Sequence, residues 1–502
     1  ETRGENDQKI CQMKESELSP RLKKIKRILP NLSFLLFFLA IFSLVYFPSD
    51  LFASNSYMSE SALQPGVAEN KYPTVLYERS VELTLQYIEY LKEYKEDSNI
   101  TISEWRSNWI KNEMEKINLD IVYQHRFSLP LRNEMEGVNT VGILQTARNS
   151  GRETIVLNVP SFHPEMINHS YKKPVDSMCF AITMMEYLRT VTWLSKDVVL
   201  LVTDSEFGDE SVRAWLDNYH DFRSQGATNY HYHEAVFSLY YPSLLNSPKS
   251  LYPTDNLIRS GSIRAALALD FFTEDFSYVV ICPEGINGKL PNLDVINAID
   301  RVAMYSENVH TTLNDEKDPL VHYLFNNDDG LLKDVGLTPP HMALITFALH
   351  NAIGEPTGNH GWFLQYNIDA ITLKLHSSSR LYGQSAPKVE FIKFARVIEG
   401  IMHSFSNLIE HFHQSFYYYL LSNTFRYISI GEYMKTFGVI VASIAGNLIA
   451  PLIGENDISI IGMRSFIRMI LFQISGLLAF VVLKITLIFG AVVNAIILLV
   501  IA

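Results

Sequence analysis

The chain has 502 residues, 47% of them hydrophobic and 19% charged, with a formal net charge of −12 at pH 7. That length holds a sizeable folded domain, and the apolar excess, concentrated at the two ends, is left over for segments that do not dissolve in water. The acidic balance and the lack of a basic stripe in the central region exclude a nucleic-acid-binding protein.

Residues 1–30 read as a cytoplasmic basic tail, in which Arg21, Lys23, Lys24, Lys26 and Arg27 lead into the almost uncharged run NLSFLLFFLAIFSLVYF, Asn31–Phe47. A run of that length crosses a hydrocarbon core of roughly 30 Å. A transmembrane helix over 31–48 follows, and the positive-inside rule places the N-terminus in the cytoplasm and the rest of the chain in the lumen. A cleaved signal peptide is the competing reading; the long basic lead and the lack of an A-x-A-like site after Phe47 count against it.

Residues 49–385 read as a lumenal α/β domain, its folded body starting near Tyr72. Short apolar runs beginning at residues 154, 197, 264, 278 and 369 have the length and β-branched content of buried strands. Helical patterns over Pro174–Leu194, with proline at the first position, and over His341–Ile353 separate them. Such alternation predicts a mostly parallel sheet. Beyond it, Phe391, Phe394, Ile398, Ile401, Phe405, Phe412 and Phe416 recur at helical spacing, so residues 386–432 read as an amphipathic interfacial helix ending in an aromatic belt, Phe416–Tyr419. Residues 433–502 hold further transmembrane helices, Tyr433–Gly454 and one or two more over Ser465–Ala502. No initiator methionine stands at the start and the sequence ends inside an apolar run, as in a fragment with an incomplete set of spans.

Only three cysteines occur: Cys11 on the cytoplasmic side, and Cys179 and Cys282 in the lumenal domain. The last two read either as a pair or as two buried thiols. Asn99 and Asn168 head glycosylation sequons on the lumenal side.

An open α/β sheet binds ligands at the carboxyl ends of its strands. The polar residues predicted there are His163, Glu165, Asp176, Asp204, Glu206, Asp270 and His360. Histidines and carboxylates in this order resemble the set with which dinuclear zinc aminopeptidases hold two metals and activate a bridging water. That family ends its second strand in two adjacent glutamates and its first in His-x-Asp. Here Glu206 is followed by Phe207, and His163 by Pro164-Glu165. No zinc is expected.

The stretches YMSESAL (Tyr57–Leu63), AWLDNYHD (Ala214–Asp221), SGSIRAALALD (Ser260–Asp270), ICPEGINGKLPNLD (Ile281–Asp294), GNHGWFLQYNIDAITL (Gly358–Leu373) and HQSFYYYLL (His413–Leu421) follow one another in order. Together they resemble the GPI-anchor attachment subunit of the GPI transamidase, over a match that runs from the first span to about Met434. The resemblance implies a zinc-aminopeptidase-like lumenal domain and a multi-pass endoplasmic reticulum membrane protein. It also implies a complex with a caspase-like catalytic subunit and other membrane subunits. Neither Cys179 nor Cys282 has a histidine close by in sequence to make an activated thiolate, so catalysis is expected from the partner.

This chain would then bind the GPI glycolipid through Tyr57, Ser59, His413, Gln414 and Ser415. Imidazole, amide and hydroxyl groups hydrogen-bond phosphate and sugar, and the Gln414 oxygen is of the kind that joins a hydrated divalent cation such as Mg²⁺ bridging phosphates. Two functions stay open at this level: a non-catalytic GPI-binding subunit, or a membrane-anchored zinc aminopeptidase or metal-dependent peptide-bond-forming enzyme.

Overall fold

The computed structural model describes residues 20–60, 63, 70–94, 100–128, 136–148, 151–167, 170–220, 249–250, 257–313, 315, 317–325, 332, 337–376, 387–408 and 411–452. They fall into two compact units, one of residues 20–53 and 428–452, the other within 54–427.

The larger unit opens with β1 (Ser54–Asn55). It continues with β2 (Ile121–Ser128), β3 (Glu136–Leu144), β4 (Glu153–Pro160), β5 (Asp197–Thr203), β6 (Lys249–Ser250), β7 (Ser262–Leu269), β8 (Tyr278–Cys282), β9 (Thr311–Thr312) and β10 (Asp369–His376), then β11 (Tyr419–Asn423) and the first two residues of β12 (Arg426–Ser429). Strands β2 to β10 make one nine-stranded sheet in the order β9-β8-β10-β7-β4-β5-β3-β2-β6. The five strands expected from the sequence all form, as β4, β5, β7, β8 and β10. The sheet, however, is mixed rather than mostly parallel. Strands β10, β7, β4 and β5 run parallel side by side, and the edge strand β9 is parallel to β8; β8 lies antiparallel to β10, and β3 and β2 continue antiparallel beyond β5.

Pleating sorts the central strands between two cores. Leu157, Leu200 and Leu267 join the larger core with Phe180, Phe394 and Ile398. Val156, Val199 and Ala266 join the smaller one with Trp215, Leu216 and Phe363. Strands buried on both faces read as unbroken apolar runs, which is why the central ones were legible.

The helices used below are α1 (Pro20–Val45), α2 (Thr74–Lys92), α3 (Ile102–Lys116), α4 (Ser177–Thr190), α5 (Asp209–Tyr219), α6 (Leu293–Arg301), α7 (Pro339–Ile353), α8 (Phe391–Asn407) and α9 (Ile430–Leu452). Helix α4 begins three residues after Pro174, because the Asp176 carboxylate accepts Met178 N–H at 3.0 Å and caps the first turn. Helix α7 starts on Pro339-Pro340 and ends at Gly354, whose φ of 79° glycine adopts without strain.

The amphipathic helix expected at a membrane surface is α8, and it is shorter and differently placed. It ends at Asn407, and Phe391, Phe394, Ile398, Ile401 and Phe405 are all buried in the larger core. An apolar stripe buries equally well against a protein core and against lipid, and periodicity alone does not distinguish the two. The described residues between 387 and 427 thus belong to the same compact unit as the sheet. The aromatic run is also split: Tyr418 is exposed, whereas Tyr419 is buried in β11.

In the smaller unit, α1 and α9 pack on each other through small and hydroxyl-bearing residues. Ser443 Oγ donates to Ser33 O at 2.7 Å, Ser43 Oγ to Thr436 Oγ1 at 3.0 Å, and a Cβ on Gly446 would lie 2.1 Å from Ser33 Oγ. Such contacts are those by which helices associate where no hydrophobic driving force separates them from lipid. Among the described residues, one stretch is long and apolar enough to cross a membrane, Arg27–Val45 in α1. The expected spans over Ser465–Ala502 lie outside the described residues.

Candidate functional site

Because β4, β7 and β10 run parallel, their carboxyl ends open on one edge of the sheet, where a cleft of about 420 Å³ lies. Its acids face bases. Asp315 bridges Lys374 Nζ at 3.0 Å and His376 Nε2 at 2.7 Å, Asp318 meets His350 Nε2 at 2.7 Å, His163 Nε2 stands 3.9 Å from Asp270, and Glu165 pairs with Lys317. Burial works against ionising Asp315, but its hydrogen bond to His376 and the Lys374 charge hold its carboxyl well below the usual range. Against the cost of its burial, neighbouring acidic groups, Cys282, Asp315 and Asp270, raise Lys374.

The residues that the zinc reading singled out do not fit a dimetal site. Asp204 spends both carboxylate oxygens on the Val138 and Glu206 amides, at 3.0 and 3.1 Å, and Glu206 is paired with Arg106 at 2.8 Å. Phe207 packs on Phe127 in an apolar cluster. Asp176 is the α4 cap, its pKa pushed up to about 7 by burial. His360 is buried against Thr372 Oγ1 at 2.8 Å, and desolvation lowers its pKa to about 3. Among the described residues no group of three or more His, Cys, Asp or Glu is placed to hold a metal ion. Cys179 and Cys282 are free and buried rather than paired. Burial pushes both thiols up, so neither is poised as a thiolate.

A second constellation forms at the start of α6. Asn292 caps the helix, its side chain accepting Asp294 N–H at 3.0 Å. The Asp294 carboxylate in turn accepts Ser59 N–H at 3.2 Å and Glu60 N–H at 2.7 Å. Asn297 Nδ2 donates to Tyr57 O at 2.8 Å, and Arg301 to Ser56 O at 3.2 Å, so the whole Ser56–Glu60 segment is tied along the helix. From the other side, Leu293 N–H donates to Phe416 O at 2.9 Å and Tyr419 OH to Pro291 O at 2.8 Å. These bonds bring YMSE and HQS, more than 350 residues apart in sequence, to one helix terminus.

His413 Nδ1 donates to His411 O at 2.7 Å and stands 3.8 Å from Glu60 Oε2. Tyr57, His413 and Gln414 are exposed and Ser415 is half-buried. Ser59 Oγ and Glu60 Oε2 are buried with no hydrogen-bond partner among the described residues, although Glu60 as a whole is 8% exposed. Buried polar atoms left open in this way are available to a ligand. Sequence reasoning missed Glu60, Asn292 and Asp294. The signal existed: Glu60 closes YMSE, and Asn292-x-Asp294 is a helix start with an acid in its first turn. The sequons at Asn99 and Asn168 lie outside the described residues.

Fold and sites together define a mixed α/β domain that follows an apolar helix, with a charge-paired cleft on one edge and an open polar site at a helix start. Comparison with known proteins places it further. The chain belongs to the family described as Gaa1-like, GPI transamidase component, whose model matches residues 136–460. It is 29% identical to the GPI transamidase component gaa1 of Schizosaccharomyces pombe over 62% of this chain and 46% of that one. With GPI transamidase component GAA1 of Saccharomyces cerevisiae the identity is 26% over 91% and 64%. The chain therefore spans less than two thirds of either relative. Similar solved structures include the LapA aminopeptidase of Legionella pneumophila, 10% identical over 71% of this chain and 78% of that one, TM-score 0.36. The glutaminyl cyclase of Fimbriiglobus ruber is 12% identical over 66% and 95%, also at TM-score 0.36.

Proposed function

We propose that this chain is a non-catalytic subunit of a GPI transamidase of the endoplasmic reticulum membrane, with a cytoplasmic N-terminus and a lumenal α/β domain. It holds the GPI glycolipid and presents its amine to a caspase-like partner that supplies the thiolate. The observation that carries this reading is the meeting of Tyr57–Glu60 with His413–Ser415 at the start of α6, with two buried oxygens left open there.

His413, Gln414 and the Ser59 and Ser415 hydroxyls donate to phosphate and sugar oxygens, while Glu60 accepts from the ethanolamine ammonium. A Mg²⁺ bridging the glycolipid phosphates would take its oxygen ligands from groups such as Gln414 and Glu60 and would neutralise phosphate charge. The elevated, buried thiols of Cys179 and Cys282 support assigning the nucleophile to another chain. The paired cleft and the spent carboxylates support a zinc-free domain.

Losing one hydrogen bond to a charged phosphate costs on the order of 1.5–3 kcal/mol, or roughly ten- to a hundredfold in affinity. Changing Gln414→Ala and Ser415→Ala together is expected to lower the yield of a GPI-anchored reporter while partner subunits still co-purify. Normal yield would reduce the segment to a structural strap, and loss of assembly would make its role one of subunit contact.

A further inference from the structure

At its other end α6 does not stop cleanly. Past Arg301 the helix widens into a π turn over Val302–Ser306, and Val309 N–H reaches back to Ala303 O at 2.9 Å. Asn308 takes a left-handed φ of 52°. Asparagine adopts that region readily, whereas single π turns inside a helix are frequent at functional positions. One result here is that Tyr305 is thrown outward, 84% exposed.

Beside Tyr305 lies a cavity of about 480 Å³ whose walls include Asn55, Arg301, His310, Thr424 and Phe425. The floor is fixed: Thr311 Oγ1 donates to Asp300 and lies 2.9 Å from Thr424 Oγ1, and Arg301 is held by Ser56 O. Tyr305 and the half-exposed Phe425 are both open to solvent.

A volume in this range fits a small ligand. An apolar ligand would strand Arg301 and His310, and Asp300 in the same wall opposes a polyanion. A sugar ring matches all of them, with its C–H face against an aromatic ring and its hydroxyls toward guanidinium, imidazole and amide.

We propose that this cavity is a carbohydrate subsite for the glycan of the same glycolipid whose phosphoethanolamine the start of α6 receives, an inference that rests on the function proposed above. The strap Asn55–Glu60 borders both places, and the nine residues of α6 separate them by about 13 Å. That distance suits a short oligosaccharide.

The test uses the full chain in its detergent-solubilised complex, titrated calorimetrically with three probes: lipid-free GPI glycan released by phospholipase, free phosphoethanolamine, and a high-mannose oligosaccharide. Tyr305→Ala is expected to weaken lipid-free glycan roughly tenfold with phosphoethanolamine unchanged, and Tyr305→Phe, which keeps the ring, to restore it. Unchanged glycan affinity in Tyr305→Ala and Phe425→Ala, with phosphoethanolamine still weakened by Gln414→Ala, overturns the subsite and leaves the function standing. If neither wild-type probe binds and Gln414→Ala leaves reporter anchoring normal, the function and the subsite fall together. Preference for the high-mannose probe over GPI glycan overturns the assignment to the glycolipid.

Discussion

The cleft at the strand ends and the start of α6 are both rich in carboxylates, yet they differ in what those carboxylates face. In the cleft, Asp315, Asp318, Asp270 and Glu165 face lysines and histidines. At α6, Asp294 and Asp369 face backbone amides, and one Glu60 oxygen accepts no hydrogen bond among the described residues, with His413 Nδ1 standing 3.8 Å away. An ion pair already closed within the protein has little left to offer a ligand, and removing one partner strands the other. An acid that orders backbone beside an unfilled acceptor does the reverse, since it builds a rigid wall with a gap in it. The first region has the composition of an active site and the energetics of a structural clamp. The second has the composition of an ordinary helix cap and the openness of a binding site.

The largest effect should come from breaking the clamp. Asp315→Ala leaves Lys374 and His376 without their shared acid at a largely buried position and is expected to cost about 3–5 kcal/mol of stability, read as a shifted denaturant midpoint of the purified chain. A loss below about 1 kcal/mol would mean the pair behaves as an exposed one.

Next is the wall itself. Asp294→Ala orphans the Ser59 and Glu60 amides at about 1–3 kcal/mol each, and hydrogen exchange at those two amides should speed up as reporter anchoring falls. Anchoring that survives with the segment loosened would separate the strap from ligand binding.

pH separates one carboxylate of each region by sign. The depressed Asp315 contributes stability that is complete above its unfolded pKa near 3.8 and is lost as pH falls below it. Asp369 is raised to about 6 by burial, so the folded state binds its proton more tightly. Its stability contribution therefore declines as pH rises from about 4 to about 6 and is constant above that. Asp369→Asn should flatten that decline while still accepting the Asn292 amide. A variant whose curve between pH 4 and pH 6 matches the wild type would show that Asp369 is not the group responsible.

The smallest expected effect is of zinc. Adding it to the purified chain should change neither metal content nor peptidase activity, and two bound ions lost on substituting Asp176 and Asp270 would restore the aminopeptidase reading.

How much of this was legible depended on burial. Strands β4, β5, β7, β8 and β10 are apolar on both faces and announce themselves, whereas β2, with Gln124, His125 and Arg126 in mid-strand, carries no clean alternation. That antiparallel half of the sheet was missed, and with it the mixed topology. Ordered motifs pointed to Tyr57, Ser59, His413, Gln414 and Ser415, but not to Asp294, because an acid in a first helical turn looks the same whether it meets water or the amides of a distant segment.

The sequence by itself determined the apolar N-terminal helix, the central strands, the family, and the break in the metal constellation at Glu206-Phe207, since each is a local pattern of residue types. Only the tertiary structure decided that the α8 stripe faces a protein core, that Asp315, Asp318 and Glu165 in the cleft each meet a base, and that two segments at opposite ends of the large domain meet at α6. Those outcomes depend on which side chains come within a few ångströms of one another. Hydrogen bonds and ion pairs act only at that range, and spacing along the chain does not encode it.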